Sequence, residues 1–344
     1  MMQKSTTNLP VFIIAEAGVN HNGSLDMAKE LVDVAVKAGV DAVKFQTFVT
    51  EELVTENAEQ ASYQTQNTGV KETQFAMLKR LELSKADHLE LLDYCRQKGI
   101  EFMSTAFDLS SVGFLHRLGI RRWKIPSGEL LSTPYLRKIA AFNQPTILST
   151  GMGNLEEVRL AVDTLVKAGL ALENLTVLHA NTAYPTPYED MNLRAMKTLA
   201  DELNVPVGLS DHSLGIEVAI AAVAMGASVI EKHITLDKSL PGPDHQASIE
   251  PLELMAMVRS IRHVEQALGS GEKKPTSSES INVSVARKSI VAKASIEAGE
   301  KFTAENLTLK RSEKGMSASY WDQLIGQVSP RRFKEGEGVD VELT

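Results

Sequence analysis

Two rhythms of apolar positions alternate along the chain. Short, nearly continuous apolar runs rich in β-branched residues lie at Val11–Gly18, Asp41–Thr47, Glu101–Phe107, Arg122–Glu129, Pro145–Gly151, Leu175–Ala180, Val205–His212 and Ala227–Leu236. Parallel strands covered on both faces read this way. Between them the period lengthens to that of a helix. Ser24 is placed to cap a stripe of Leu25, Ala28, Leu31, Val32, Ala35 and Val36 that stops at Gly39. Asn154 and Glu157 form a capping-box pattern ahead of Leu155, Val158, Ala161, Val162, Leu165 and Val166, and Gly169 closes that stripe. Eight strands alternating with helices predict a closed (β/α)8 (TIM) barrel. A doubly wound open sheet is the other arrangement, but no Gly-x-Gly-x-x-Gly follows the first strand.

Two stretches break the alternation. Phe48–Leu83, between the second and third strands, is long enough to cover the mouth of a barrel. Gly269–Ser280 has linker composition. The expected organisation is therefore a catalytic barrel over 1–268, a linker over 269–282 and a small module over 283–344. That module, with a short strand at Ser289–Ala294 and glycine turns, is too short for a large core. It is expected to lean on the barrel or on a partner chain.

The 344 residues include 43% hydrophobic and 23% charged positions, an ordinary globular balance. The formal net charge of −8 argues against a nucleic-acid partner and requires any anionic substrate to be held by local cations. The single cysteine, Cys95, rules out an internal disulfide framework and fits a reducing compartment. Its place in the amphipathic Ala86–Gly99 segment favours a buried helix residue over a nucleophile. The polar first ten residues lack a signal-peptide pattern, and no run of about 18 apolar residues would span a membrane. A cytoplasmic location is the resulting expectation.

In a barrel, chemistry sits at the carboxyl ends of the strands. Those ends carry Glu16, Asn20 and His21; Lys44 and Gln46; Ser104 and Thr105; Lys124, Ser127 and Glu129; Ser149 and Thr150; His179, Asn181 and Tyr184; Ser210, Asp211 and His212; and Glu231, Lys232 and His233. Alternation puts Lys44 with Gln46 on one face and Glu231 with His233 on one face, while Lys232 points towards the helices. Lys44 and Lys124, with nearby hydroxyls, suit a compact anion carrying phosphate and carboxylate. They could instead pair structurally with Glu16 and Glu129, or one could form a Schiff base. His212 and His233 end adjacent strands and can bind a divalent metal with open positions left for water and substrate, or serve as hydrogen-bonded structural residues. The Pro-rich loop Leu240–Ser248 presents Asp244 and His245, either to a sugar hydroxyl or as part of an ordinary turn.

Read together, AEAGVNHNGS (15–24), VKFQTF (43–48), KIPSGE (124–129), LSTGM (148–152), YPTPYED (184–190), GLSDHS (208–213), EKHIT (231–235) and PGPDHQAS (241–248) resemble the signatures of the sialic acid synthase family. The resemblance continues through VARKSIVAKASIEAGE (285–300) and LTLKR (307–311), which are similar to that family's C-terminal antifreeze-like (SAF) β-clip domain. It implies a condensation of phosphoenolpyruvate with N-acetylmannosamine and water, releasing phosphate by C–O cleavage, with Mn²⁺ or Mg²⁺ as cofactor. It also implies a domain-swapped homodimer.

By the same resemblance, Lys44, Thr105, Lys124, Ser127, Ser149 and Ser210 correspond to the phosphoenolpyruvate pocket. His212 and His233 correspond to the metal ligands and Glu16 to the acid/base, with Glu129 a further catalytic candidate. Gln46, Tyr184 and Asp244 fall near the acylamino sugar, and Arg311 would reach the N-acyl group across the dimer; Asn181, from the end of the sixth strand, is a further substrate-binding candidate. Two departures stand out. His179-Ala-Asn-Thr leaves open whether Asn181 or Thr182 faces the pocket, and Ser-Glu-Lys-Gly follows Arg311 where relatives have Pro-Gly. The principal expectation is an N-acetylneuraminate synthase. The alternatives are an N,N'-diacetyllegionaminate synthase using 2,4-diacetamido-2,4,6-trideoxymannose, a Schiff-base lyase, and a carbohydrate-binding protein.

Overall fold

A computed structural model describes residues 10–343. The polar N-terminal stretch, as far as residue 9, lies outside the described residues. The chain divides into two compact units, Met1–Gly269 and Ser270–Thr344.

The first unit is a nearly closed parallel barrel. Its strands are β1 (Phe12–Gly18), β2 (Ala42–Thr47), β3 (Glu101–Ala106), β4 (Trp123–Ile125), β5 (Thr146–Ser149), β6 (Leu175–Ala180), β7 (Val207–Asp211) and β8 (Val229–His233). They are hydrogen-bonded in the order β3-β2-β1-β8-β7-β6-β5-β4, and β3 lies beside β4 at the seam. The helices are α1 (Leu25–Ala38), α2 (Thr50–Leu53), α3 (Ser62–Thr68), α4 (Gln74–Leu81), α5 (Lys85–Lys98), α6 (Leu109–Leu118), α7 (Thr133–Ala140), α8 (Leu155–Lys167), α9 (Arg194–Leu203), α10 (Glu217–Ala224) and α11 (Pro251–Leu268).

Both expected caps form. Ser24 Oγ accepts from the Met27 amide, and Gly39, with φ +77°, closes α1; the Asn154–Glu157 box opens α8. Each such cap contributes about 1 kcal/mol. One expected strand is cut short. The run Arg122–Glu129 is strand only to Ile125, because Pro126 has no amide for the ladder and Ser127–Glu129 coil into a 3-10 turn. The long connection holds the short helices α2, α3 and α4. Thr73 caps α4, whose Met77 and Leu81 pack with Val19 and Phe48.

Strand alternation builds two cores. Ile13, Ala15, Val43, Phe45, Phe102 and Leu148 face outward and pack under the helices. Ile14, Ala42, Met103, Ile147, Leu178 and Val229 face inward and plug the barrel. Two residues further along five of these six strands, on that inward face, stand Glu16, Lys44, Thr105, Ser149 and Glu231. The apolar plug is thus the floor of a polar layer. Cys95 is buried on α5, and burial pushes its thiol up to about 12.

The second unit begins with α12 (Ser277–Ala286), followed by β9 (Lys288–Ala292), its antiparallel partner β10 (Leu307–Arg311) and α13 (Trp321–Leu324). Part of the stretch read as linker is therefore helix. Glu279 caps it by accepting from the Thr276 amide and hydroxyl, a local signal that linker composition hid. The unit has its own small core of Ile290, Ala292, Ile296, Phe302, Leu307, Leu324, Phe333 and Val339.

Candidate active site

The polar layer opens into a cavity of about 290 Å³. Its centre is a ring of buried charges. Glu16 and Lys44 are register partners on β1 and β2, and Glu16 Oε2 lies 2.6 Å from Lys44 Nζ. Lys44 Nζ also donates to Thr105 Oγ1 at 3.0 Å. Lys124 Nζ, from β4, donates to Ser149 Oγ at 2.7 Å. Between the two lysines sits Glu231, with Oε2 at 3.5 Å from Lys44 and Oε1 at 3.5 Å from Lys124. Ser210, its register partner on β7, donates to Oε1 at 2.8 Å.

Burial and neighbours split the protonation behaviour of these groups. Burial pushes Glu16 up to about 7, against the pull of Lys44. Burial pulls Lys124 down to about 8, against Glu231. Burial also works against the Lys44 ammonium, but Glu16 and Glu231 outweigh it and hold its pKa above the usual lysine value. Burial alone would raise Glu231; Lys124 and Lys44 overturn that and hold it at about 2. Glu16 can therefore carry a proton near neutrality while Glu231 stays ionised. Glu16 Oε2 and Glu231 Oε2 make no hydrogen bond of proper angle although both are buried. Buried oxygens without a hydrogen bond call for an explanation, and a catalytic role is one.

The two histidines stand beside this ring. Their rings are 5.3 Å apart, and Tyr184 packs 4.2 Å from His212. His212 Nδ1 donates to the Asn181 carbonyl, which fixes the tautomer and leaves Nε2 as a lone-pair donor. His233 Nδ1 is buried without a hydrogen bond, 3.9 Å from Asp244 Oδ2. Burial lowers His212 to about 4 and, with His212 and Lys44 nearby, takes His233 well below its usual value, so both imidazoles are neutral. Burial raises Asp244 to about 6. Two neutral imidazoles with lone pairs to give fit a metal that keeps open positions, and among the described residues no group of three or more His, Cys, Asp or Glu is arranged to enclose one.

Gln46, Ser127, Tyr184 and Asp244 complete the lining together with the residues above. Two candidates of the barrel, Glu129 and Asn181, do not line the cavity. Glu129, carried off by the turn after Pro126, is half-buried and does not line the cavity. Thr182, rather than Asn181, lines it; the Asn181 side chain folds back to accept from the Ala183 amide. Arg311 is exposed at the end of β10 in the second unit. Lys232 faces the helix side, as alternation predicts, and is buried against Asp211. Sequence reasoning placed Glu231 on the correct face but did not recognise it as the hub. It also did not foresee the apolar part of the lining, Leu53, Met77, Leu78, Leu81 and Phe107. Close packing holds the rim. A Cβ on Gly151 would meet Thr182 Cγ2 at 2.7 Å and Ser127 Oγ at 2.8 Å, and the Gly151 amide donates to that hydroxyl.

A parallel barrel whose strand ends focus two lysines, two carboxylates and two neutral histidines on one cavity has the build of an enzyme. The chain belongs to the NeuB family, whose model matches residues 31–273, and its second unit carries a SAF domain at 287–340. It is 47% identical to the N,N'-diacetyllegionaminic acid synthase of Campylobacter jejuni, over 94% of this chain and 97% of that one. It is 50% identical to the enzyme of the same name from Legionella pneumophila, over 93% and 90%. A crystal structure of N-acetylneuraminic acid (sialic acid) synthetase from Leptospira borgpetersenii, in complex with citrate, matches with a TM-score of 0.72 and 34% identity, over 82% of this chain and 94% of that one.

Proposed function

We propose that the protein joins phosphoenolpyruvate to 2,4-diacetamido-2,4,6-trideoxymannose and so makes N,N'-diacetyllegionaminate. The observation that carries the reaction class is Glu231 held between Lys44 and Lys124, a charge-balanced nest into which a phosphate and carboxylate fit when the lysines turn to the substrate. The sugar differs from the principal expectation of N-acetylmannosamine. Two features support the change: the identities of 47% and 50% to legionaminate synthases against 34% to the sialic acid synthetase, and the apolar part of the lining. Leu53, Met77 and Leu78 offer a methyl group a better surround than a hydroxymethyl.

In this reading C3 of phosphoenolpyruvate bonds to the aldehyde carbon, a water oxygen bonds to C2, and the C2–O bond to phosphorus breaks. Phosphate leaves with the bridging oxygen, and the aldehyde oxygen ends as a hydroxyl. Lys44, Lys124, Ser149 and Ser210 fix the polyanion, which makes the encounter positional. Glu16, with its pKa near 7, takes the proton of the attacking water. His212 and His233 would hold a divalent cation, Mn²⁺ or Mg²⁺, which when bound supplies polarisation of the aldehyde oxygen. The reading includes a cytoplasmic homodimer in which the partner's second unit supplies Arg311; the exposed position of Arg311 on β10 leaves it available for that role.

Phosphoenolpyruvate labelled with ¹⁸O at the bridging position tests the chemistry. Labelled phosphate is expected; unlabelled phosphate would mean P–O cleavage and overturn the reading. Lys124, lowered to about 8, also suits a Schiff-base lysine. Borohydride with pyruvate decides: no stable adduct is expected, and a trapped Lys124 would favour the lyase.

A further inference from the structure

The polar cavity accounts for the inward-facing charges, but one buried ion pair lies outside it. Lys232 and Asp211 are Cα register partners at the last rung of the β7–β8 ladder, on the helix-facing side. Both side chains are fully buried. Lys232 Nζ donates to Asp211 Oδ2 at 2.8 Å and to the Ser213 carbonyl at 2.5 Å. Asp211 Oδ1 in turn accepts from the Ser213 amide at 2.9 Å and its hydroxyl at 2.6 Å.

These bonds bracket His212. The residues on either side of it, Asp211 and Ser213, are tied to one ammonium. That ammonium belongs to the residue immediately before His233. A single buried charge therefore fixes the backbone carrying one imidazole to the backbone carrying the other. Without it, His212 would lie just past the end of β7, where ladder bonds no longer hold the chain. The other restraints on His212 act differently: its Nδ1 bonds the Asn181 carbonyl, its own carbonyl accepts from the Thr186 amide, and its Nε2 lies 3.3 Å from Ser210 Oγ, which donates to Glu231 on β8. Only the last of these reaches β8, and it holds the ring, not the backbone. A hydrophobic pair would fill the space beneath the helices equally well at no desolvation cost, so stability alone gives little reason for a charge here.

We infer that Lys232 and Asp211 are positioning residues that hold His212 and His233 at the spacing needed to share one divalent cation. This inference rests on the proposed two-histidine cation site. Partners behind metal-binding imidazoles set affinity by about tenfold to a hundredfold.

The test is Mn²⁺ binding to the metal-free full chain, followed by the loss of the free-ion signal in electron paramagnetic resonance, beside thermal melting of each variant. The central variant is Asp211→Asn with Lys232→Met, which removes both charges and keeps the volume. It should melt close to the wild type yet bind Mn²⁺ tenfold to a hundredfold more weakly. Ser213→Ala, a milder change that removes one bond to Asp211, should weaken Mn²⁺ binding a few-fold and serves if the double variant does not fold. Binding within twofold of the wild type in a folded double variant, or in Ser213→Ala where that is the variant measured, would overturn the positioning role alone. Wild-type binding no tighter than that of His212→Ala with His233→Ala would overturn the cation site and this inference with it.

Discussion

Replacing Lys124 with methionine keeps the length of the side chain and removes only the ammonium. In the structure that group donates to Ser149 at 2.7 Å and faces Glu231 at 3.5 Å, fully enclosed. Removing one member of a buried charge pair costs about 2–5 kcal/mol, and a loss near 3 kcal/mol lowers kcat/KM for phosphoenolpyruvate roughly a hundredfold. A second, independent signature comes from titration. Burial holds Lys124 at about 8. Above that pH the wild type loses a positive charge from the proposed anion site, so kcat/KM should fall about tenfold per pH unit on the alkaline side. Lys124→Met has no such proton to lose and should be flat over the same range. Continuous phosphate release at saturating sugar, from pH 6.5 to 9.5, reads both effects. A variant within about threefold of the wild type, or one retaining the same alkaline fall, would refute the assignment of Lys124 to the anion.

Three further outcomes follow from local geometry. Gly151→Ala should lower stability by about 1–3 kcal/mol through overpacking and raise KM for phosphoenolpyruvate, because its Cβ collides with Thr182 and Ser127; unchanged melting and KM would show that the rim is looser than described. Cys95, with its thiol pushed up to about 12, should resist iodoacetamide at pH 8 in the native protein and react in denaturant; rapid native labelling would contradict its burial. Burial lowers His21 from 6.5 to about 4, so the unfolded chain binds a proton that the native chain refuses. Stability should therefore fall as pH drops from 6.5 towards 4, by about 1.4 kcal/mol per pH unit for this group, and His21→Gln should remove that share of the slope in urea titrations.

The barrel was legible because its strands are covered on both faces and so read as apolar runs, with alternation telling inward from outward. The same rule separated Lys44 and His233 from Lys232. It failed where the chain left the strand. Pro126 ended β4 early, so Glu129 turned away from the cavity. β6 ends at Ala180, so periodicity could not decide between Asn181 and Thr182. Glu231 was visible as an inward residue, but its role depends on barrel closure, which brings β8 within reach of lysines on β2 and β4. The apolar part of the lining was hidden for the same reason: Leu53 and Leu78 reach the cavity only through the fold of the connection after β2. The helix over Ser277–Ala286 had its capping box in plain view, and Ser-rich composition masked it.

The central claim is the pairing of phosphoenolpyruvate with a diacetamido sugar. The most direct measurement incubates the full chain with Mn²⁺ and phosphoenolpyruvate, supplies 2,4-diacetamido-2,4,6-trideoxymannose or N-acetylmannosamine, and follows phosphate release and product mass. The account predicts sugar-dependent release, a nine-carbon keto acid of diacetamido mass, and a kcat/KM for the diacetamido sugar at least about tenfold higher, which corresponds to roughly 1.4 kcal/mol. Equal or better turnover of N-acetylmannosamine would contradict the sugar assignment, and no phosphate release with either sugar would contradict the reaction itself.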